Sequence, residues 1–239
     1  MASKWPKPVR LIGRLVRRAY GLLAMNVGRV RSATPLSRSW GYDRGTPIDR
    51  HYIEAFLERH QQDVKGRLLE VQEDHYSTRF GNGRVERIDI LNVDASNPRA
   101  TIVGDLADPR TLPPETFDCI ILTQTLHLVF EMPAAIVHLH RALSPGGVLL
   151  VTVPGITPLD RVEYLESWYW SLTGPALKRL LTGPFRSEEV EVEAFGNLYA
   201  ATAFLHGAAV EEVSSRRLDQ RDRSYPVTIA ARAVKSALL

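Results

Sequence analysis

Four short apolar runs, residues 68–71, 85–93, 100–103 and 117–123, each end abruptly in polar residues, and a fifth, 148–153, follows Pro145-Gly146-Gly147. Runs of this length without strict alternation are buried on both faces, which a parallel sheet covered by helices requires. The connections decide the rest. A parallel crossover needs about a dozen residues or more. Only about that many separate the first run from the second, so the intervening helix is confined to about residues 75–80, closed by Gly81 and Gly83. Between Asp94 and Asp105 there is room only for a loop through Ser96-Asn97-Pro98. The second half is fuller: Pro133 opens a helix through Leu143, residues 160–181 read as a long helix, 190–195 as a strand, 198–206 as a helix and 225–233 as a last strand. The expected fold is an α/β, Rossmann-like, mostly parallel seven-stranded sheet with helices on both faces, an antiparallel last strand and an N-terminal helical cap. The expected division is a cap and lid over residues 1–60 and the sheet domain over 61–239.

In such a sheet a ligand lies outside the carboxyl ends of the strands, beside the first one. The residues there are unusual. A nucleotide-binding turn calls for glycines, which can take positive φ and let a ligand approach the backbone; this chain has Gln72, Glu73 and Asp74. With Glu70 they form an acidic turn that opposes a pyrophosphate.

Charge is distributed unevenly. Residues 1–50 hold eleven Lys and Arg against two acids, and the remainder nineteen against twenty-five, so +9 on the arm stands against −6 elsewhere. Basic character therefore belongs to the arm, and a nucleic-acid partner for the whole protein is not expected. Residues 9–31 contain no acid and alternate leucine and arginine at helical spacing. They read as a basic amphipathic helix that packs on the body as a cap, rests on an anionic membrane surface or serves in targeting; the cap is preferred. The single cysteine, Cys119, lies in an apolar run, so neither a disulfide framework nor a cysteine metal site is possible. A reducing, cytoplasmic setting is the default expectation. His138 and His140 are two apart on a helix and point to different faces, and no metal site is expected.

Residues 40–52, Trp-Gly-Tyr-Asp-Arg-Gly-Thr-Pro-Ile-Asp-Arg-His-Tyr, read as a loop. It is either a binding element, with Arg44, Asp49, Arg50 and Tyr52 facing a polar acceptor, or a solvated linker with internal pairs Asp43–Arg44 and Asp49–Arg50. Trp168, Tyr169 and Trp170 read as core or cleft wall, with Trp170 able to stack on an acceptor ring. Residues 216–223 read as a solvated loop.

The succession Phe117-Asp118-Cys-Ile-Ile-Leu-Thr-Gln-Thr-Leu-His127, then a helix ending in Leu143-Ser-Pro-Gly-Gly-Val-Leu-Leu150, resembles the later half of class I S-adenosylmethionine-dependent methyltransferases. Residues 66–154 carry the resemblance. The remainder is similar to bacterial methyltransferase-domain proteins found beside or fused to glycosyltransferases, through Asp43-Arg-Gly-Thr-Pro-Ile-Asp-Arg50, the aromatic run and Phe195-Gly-Asn197. The resemblance implies S-adenosylmethionine as cofactor, with S-adenosylhomocysteine as product. It places Glu70, Val71 and Gln72 at the first strand end, Asp94 near the ribose, Asp105 and Leu106 at the adenine, and Thr123 and Gln124 past the fourth strand. Family members have Gly-x-Gly where Gln72 and Asp74 stand. The acidic turn still suits a sulfonium and an ammonium better than a phosphate.

Methyl transfer depends chiefly on aligning a nucleophile behind the methyl carbon, and a hydroxyl also profits from a base. His127 is the candidate base, or else a strand-end cap or cofactor contact, and His75 is the second candidate. The expected activity is methyl transfer to a small molecule or saccharide, at oxygen. The alternatives are a non-catalytic methyltransferase fold that partners a glycosyltransferase, and the same fold used for another reaction such as a cyclisation.

Overall fold

The computed structural model of the chain describes residues 33–160 and 162–237. The basic helix expected over residues 9–31, with its membrane or targeting readings, lies outside the described residues. Two compact units are present. The larger comprises Ile53–Gly155, Leu159–Phe195 and the described part of Thr228–Leu239; the smaller comprises the described residues up to Tyr52 with Ile156–Pro158 and Gly196–Val227. Helix α1, Ile48–Arg59, runs through the boundary.

The larger unit is built on a seven-stranded sheet: β1 (Gly66–Val71), β2 (Val85–Asn92), β3 (Ile102–Val103), β4 (Phe117–Thr123), β5 (Leu143–Pro154), β6 (Val190–Phe195) and β7 (Thr228–Val234). The strand order is β3-β2-β1-β4-β5-β7-β6, and only β7 runs against its neighbours. Helix α2, His75–Phe80, is the expected single short turn of helix after β1. Helix α3, Met132–Ala142, presents Met132, Ala135, Ile136, Leu139 and Ala142 to the core, the i, i+3, i+4, i+7 stripe of a helix packed on a sheet. His138 and His140 leave that helix in different directions, one to the Leu106 carbonyl and the other edge-on to Phe185. Pro145-Gly146-Gly147 is an irregular opening of β5 rather than a turn before it. A Cβ at Gly147 would lie 2.9 Å from the Phe117 carbonyl oxygen, so only glycine lets β5 return to β4 here.

Two readings are corrected. Residues 160–181 are not one helix: a 3-10 turn, Leu165–Ser167, is followed by irregular chain, and helix α4 occupies only Gly174–Leu181. Thr173 caps it, its hydroxyl accepting from the Ala176 amide at 3.3 Å, and Pro175 follows in the first turn. Proline fits the first turn of a helix and breaks an interior, so the helix starts there. Residues 216–223 are not simply a solvated loop: helix α6, Ser215–Leu218, buries Leu218, and the Asn197 amide donates to the Arg217 and Gln220 carbonyls at 2.7 and 2.6 Å.

In the smaller unit α5, Leu198–Leu205, supplies the apolar body. Arg44 meets buried Glu212 through Nε at 2.8 Å and a second, shorter bond from its terminal nitrogen. Thr46 binds Glu211 through its amide and hydroxyl at 2.9 and 2.8 Å.

Candidate active site

Strands β1 and β4 are neighbours, yet the chain leaves β1 toward β2 on one side and leaves β4 toward β5 on the other. That reversal opens a crevice at their carboxyl ends. Glu70 pairs with Ile121, so Gln72 comes level with Thr123 and the turns after both strands share the crevice.

After β1 the backbone closes a three-residue turn: the Glu73 amide donates to the Val71 carbonyl at 2.9 Å with Gln72 at the apex, φ +67°. This is γ-turn geometry in the left-handed region, unfavourable for a residue with a Cβ. Gln124, just past β4, has φ +46°. Glycine would remove both strains, and neither position has it. The conformation read from the family's glycines is therefore present at Gln72 without the glycine.

Glu70 turns inward. Its carboxylate, 3% exposed, accepts from the amides of Tyr76 and Ser77 at 3.0 and 2.7 Å and from the Ser77 hydroxyl. It thereby caps the N-terminus of α2, where a negative charge meets unpaired N–H groups. Burial raises its pKa, while the bonds from Ser77 and Tyr76 oppose the rise. Asp74 pairs with Arg99 at 2.6 Å, and that hydrogen bond holds its pKa low. The acidic turn is thus corrected: Glu70 is absorbed by α2, Asp74 is neutralised, and Glu73 alone is an exposed acid without an ion pair. The Asn97 amide donates to the Gln72 carbonyl at 2.6 Å, and the Gln72 amide donates to the Tyr164 hydroxyl at 2.8 Å.

β2 ends at Asn92, two residues before Asp94. Asp94 is exposed; its Oδ1 accepts from the Ser96 amide and from Asn92, and the bonds from Ser96 hold its pKa low. Asp105 is also exposed, and its Oδ1 receives the Ala107 amide at 2.8 Å. Leu106 is buried, with its carbonyl held by His138 Nδ1 at 2.9 Å. The amide of Gln124 donates to the Thr152 carbonyl at 2.9 Å, and the Thr123 carbonyl accepts from Thr125.

His127 sits in a 3-10 turn, Leu126–Leu128, and is 2% exposed. Its ring lies 4.4 Å from that of Trp168, and the Trp170 amide donates to its carbonyl at 3.2 Å. Burial lowers its pKa to about 4, so the imidazole is neutral at neutral pH. Its Nδ1 and the Nε2 of Gln124 are both buried without a hydrogen-bond partner. Two orphaned polar atoms at one strand end are a costly arrangement that a polar ligand would relieve.

Other expected site residues lie elsewhere or are engaged. His75 is exposed on the first residue of α2, edge-on to Tyr76 at 5.2 Å. Trp170 is partly exposed, and its indole donates to the Val129 carbonyl at 3.0 Å. Arg44, Asp49, Arg50 and Tyr52 belong to the smaller unit, and the last three are on α1, not in a loop. Tyr52 is buried and donates to the Leu218 carbonyl at 3.0 Å; Arg50 donates to the Tyr42 hydroxyl at 2.9 Å. Asp49 accepts from the Arg50 amide at 2.9 Å, and burial lifts its pKa to about 6. Arg44 pairs with Glu212, and Asp43 receives the Ser37 hydroxyl. These side chains hold their own unit together rather than lining an open loop. Tyr164, Asn97 and Arg99 were not found by sequence reasoning, although all three touch the strand ends, whereas Trp168, read as core or cleft wall, packs on His127. The partners of those three lie 25 to 92 residues away, beyond the reach of local pattern.

Comparison with known proteins now decides the family. The chain matches the family model described as "Methyltransferase domain" over residues 34–183. It belongs to that family. The cofactor that goes with this assignment is S-adenosylmethionine. The methyltransferase-domain fold is shared with the [4+2]-cyclase SpnF, at 16% identity over 94% of this chain and 96% of that one, TM-score 0.52. It is shared with a SAM-dependent methyltransferase from Archaeoglobus fulgidus, at 13% identity over 78% and 94%, TM-score 0.52. The N-methyltransferase NodS from Bradyrhizobium japonicum matches at 15% identity over 80% and 97%, TM-score 0.50. No curated protein matches the chain. Among the described residues no helix is long and apolar enough to cross a membrane, and no cluster of three or more ligating side chains could hold a metal ion.

The donor set suits the cofactor. Exposed Asp94 and Asp105 follow successive strand ends as carboxylates suited to hydroxyl and amine donors; among the described residues the one cation paired at the β1 turn, Arg99, is engaged by Asp74; and Gln124 and His127 carry buried polar atoms that lack partners.

Proposed function

We propose that this methyltransferase-domain protein binds S-adenosylmethionine over the ends of β1, β2 and β4 and transfers its methyl group to a hydroxyl oxygen of a small molecule or saccharide. The observation that carries this reading is the pairing at one crevice of two left-handed glutamines, Gln72 and Gln124, with two orphaned buried polar atoms. Backbone strain of this kind costs about 1–3 kcal/mol per residue and collects at functional sites.

When bound, the cofactor supplies an electrophilic methyl carbon on a positively charged sulfur. Asp94 would hold the ribose hydroxyls through its carboxylate, and Asp105 and Leu106 would lie by the adenine. Val71 and Gln72 would hold the methionine end through their backbone, with Thr123 and Gln124 past the adjacent strand. His127, neutral at neutral pH because it is buried, accepts the hydrogen bond of the acceptor hydroxyl and orients its lone pair. A base held at about 4 takes a proton reluctantly, so its contribution is orientation first and proton acceptance only as the oxygen becomes positive. Trp168 covers the imidazole and excludes water, and Trp170 offers a ring face to the acceptor. Arg44, Asp49, Arg50, Tyr52 and His75 drop to lesser roles, since the first four are committed within the smaller unit.

The test is calorimetric titration of the full chain with S-adenosylhomocysteine. Binding is expected, and Asp94→Ala and Asp105→Ala should each weaken it about tenfold, the loss of one or two hydrogen bonds to a charged acceptor. Absence of binding at millimolar ligand overturns the reading.

A second reading has its own observation. Gln72 and Asp74, at the family's glycine positions, direct their side chains to Tyr164 and Arg99 within the chain. A methyltransferase fold without cofactor, acting as a partner of a glycosyltransferase, would look this way at the turn, and the same titration separates the two. A cyclisation on the same fold would bind the cofactor and transfer no methyl group.

A further inference from the structure

The segment 162–170 has no regular structure beyond one 3-10 turn, yet it is fastened to both central strand ends. Tyr164 holds the β1 turn through the Gln72 amide at 2.8 Å. Trp168 packs on His127 past β4 at 4.4 Å, and the Trp170 amide and indole donate to the His127 and Val129 carbonyls at 3.2 and 3.0 Å. The segment is therefore a strap across the crevice, anchored on each side by different bonds. Between the anchors it buries little: Leu165 is 51% exposed and Glu166 is exposed, and Val162, just before the first anchor, is 95% exposed. A segment with few apolar contacts opens at low cost once its polar anchors release.

The two anchors differ in chemistry. The β4 side rests on indole packing and backbone bonds. The β1 side rests on one side-chain hydrogen bond, and its donor is the residue that stands where the family has glycine. A glycine there would leave the strap without this anchor. The strained φ of Gln72 also aims its amide out of the turn, and the Asn97 bond to its carbonyl fixes that orientation.

We infer that the Gln72–Tyr164 hydrogen bond is a latch that holds strap 162–170 over the crevice and opposes ligand entry, which makes Gln72 the residue that sets how tightly this site holds its ligand. The inference rests on the cofactor site proposed above. Apparent affinity falls by the fraction of molecules in which a site is open. Loss of one partly exposed hydrogen bond shifts such an equilibrium by about twofold to tenfold.

Tyr164→Phe removes the hydroxyl and keeps the ring. Titration of the full-length variant with S-adenosylhomocysteine should give a dissociation constant about twofold to tenfold lower than that of the unsubstituted protein, and Gln72→Gly should shift it in the same direction. Without ligand, amide hydrogen exchange over 162–170 should be faster in both variants, a readout independent of the cofactor. Binding by Tyr164→Phe alone also supports the latch. Equal or weaker binding by Tyr164→Phe, or unchanged exchange over the strap while the unsubstituted protein binds, overturns the latch and leaves the cofactor reading intact. Binding by neither protein at millimolar ligand overturns the cofactor reading, and with it the latch as a ligand gate.

Discussion

His127 gives the sharpest test of the site's electrostatics. Its ring is 2% exposed, lies against Trp168 and has no partner for Nδ1, and burial holds its pKa at about 4 against 6.5 for a free imidazole. Because the folded value is depressed, the folded state disfavours the proton, and this contribution to stability is present above the unfolded value. It is lost as pH falls from about 6.5 through about 4. The full difference is worth about 3 kcal/mol, and about 2 kcal/mol of it is lost between about pH 7 and about pH 5. Other groups titrate in the same range. Asp49, raised by burial to about 6, acts with the opposite sign, its contribution being lost as pH rises from 3.8 through 6. A comparison cancels them. Urea unfolding of the unsubstituted protein and of His127→Gln, each at both pH values, isolates the imidazole. The unsubstituted protein should lose about 2 kcal/mol more than the variant on acidification. Identical losses would show that His127 is solvated or hydrogen-bonded in solution and would remove the basis for its neutral, orienting role.

Glu70→Ala should destabilise the larger unit by about 2–3 kcal/mol in urea unfolding, because three donors at the N-terminus of α2 lose a charged acceptor together; a change below about 0.5 kcal/mol would contradict the capping role. Arg44→Met should cost about 3–5 kcal/mol by stranding the buried Glu212 carboxylate, and Arg44→Met with Glu212→Leu should recover much of that loss. Gln72→Val should lower stability by about 1–2 kcal/mol relative to Gln72→Gly, since a β-branched side chain is least tolerant of φ +67°; equal stabilities would refute the turn geometry. Cys119→Ser, far from the crevice ends but fully buried, should change stability and leave S-adenosylhomocysteine affinity unaltered.

Much of this architecture could be read from the residues. The first, fourth and fifth apolar runs fall within β1, β4 and β5, the second overruns β2 by one residue, only the last two residues of the third are strand, and the shortness of α2 followed from counting residues between the first two. Errors came where local pattern met a competing signal. Residues 160–181 carry enough aromatic and aliphatic groups to suggest one helix, but Thr173-Gly174-Pro175 resets the start, because a capped proline turn is better than a proline interior. Residues 40–52 have the composition of a lid, yet Asp49, Arg50 and Tyr52 are helical and Tyr52 is buried against the Leu218 carbonyl, a partner 166 residues away. The same holds at the site. The positions of Asp94 and Asp105, two residues past β2 and β3, could be counted from the sequence, whereas that of Tyr164 could not. Its contact with Gln72 spans 92 residues and depends on a strap whose path no periodicity records.

The β1 turn bears most directly on whether this is a working site. A glycine turn that had lost its purpose would be free to relax once other residues entered it, because nothing would hold a side chain in the left-handed region. Gln72 has not relaxed: it keeps φ +67°, its carbonyl fixed by Asn97 and its amide by Tyr164, while Asp74 beside it is locked to Arg99. Strained conformations persist only where the surroundings over-determine them. Here three bonds, to the loop after β2 and to the strap after β5, do so. The second strained glutamine, Gln124, is held by its backbone amide on the Thr152 carbonyl, while its own side-chain Nε2 is buried without a partner. Strain held by hydrogen bonds on both sides of the crevice, with a buried amide left unpartnered at one of them, is what the proposed site requires. On the proposed latch, a glutamine where the family has glycine alters what guards the crevice more than it alters the crevice.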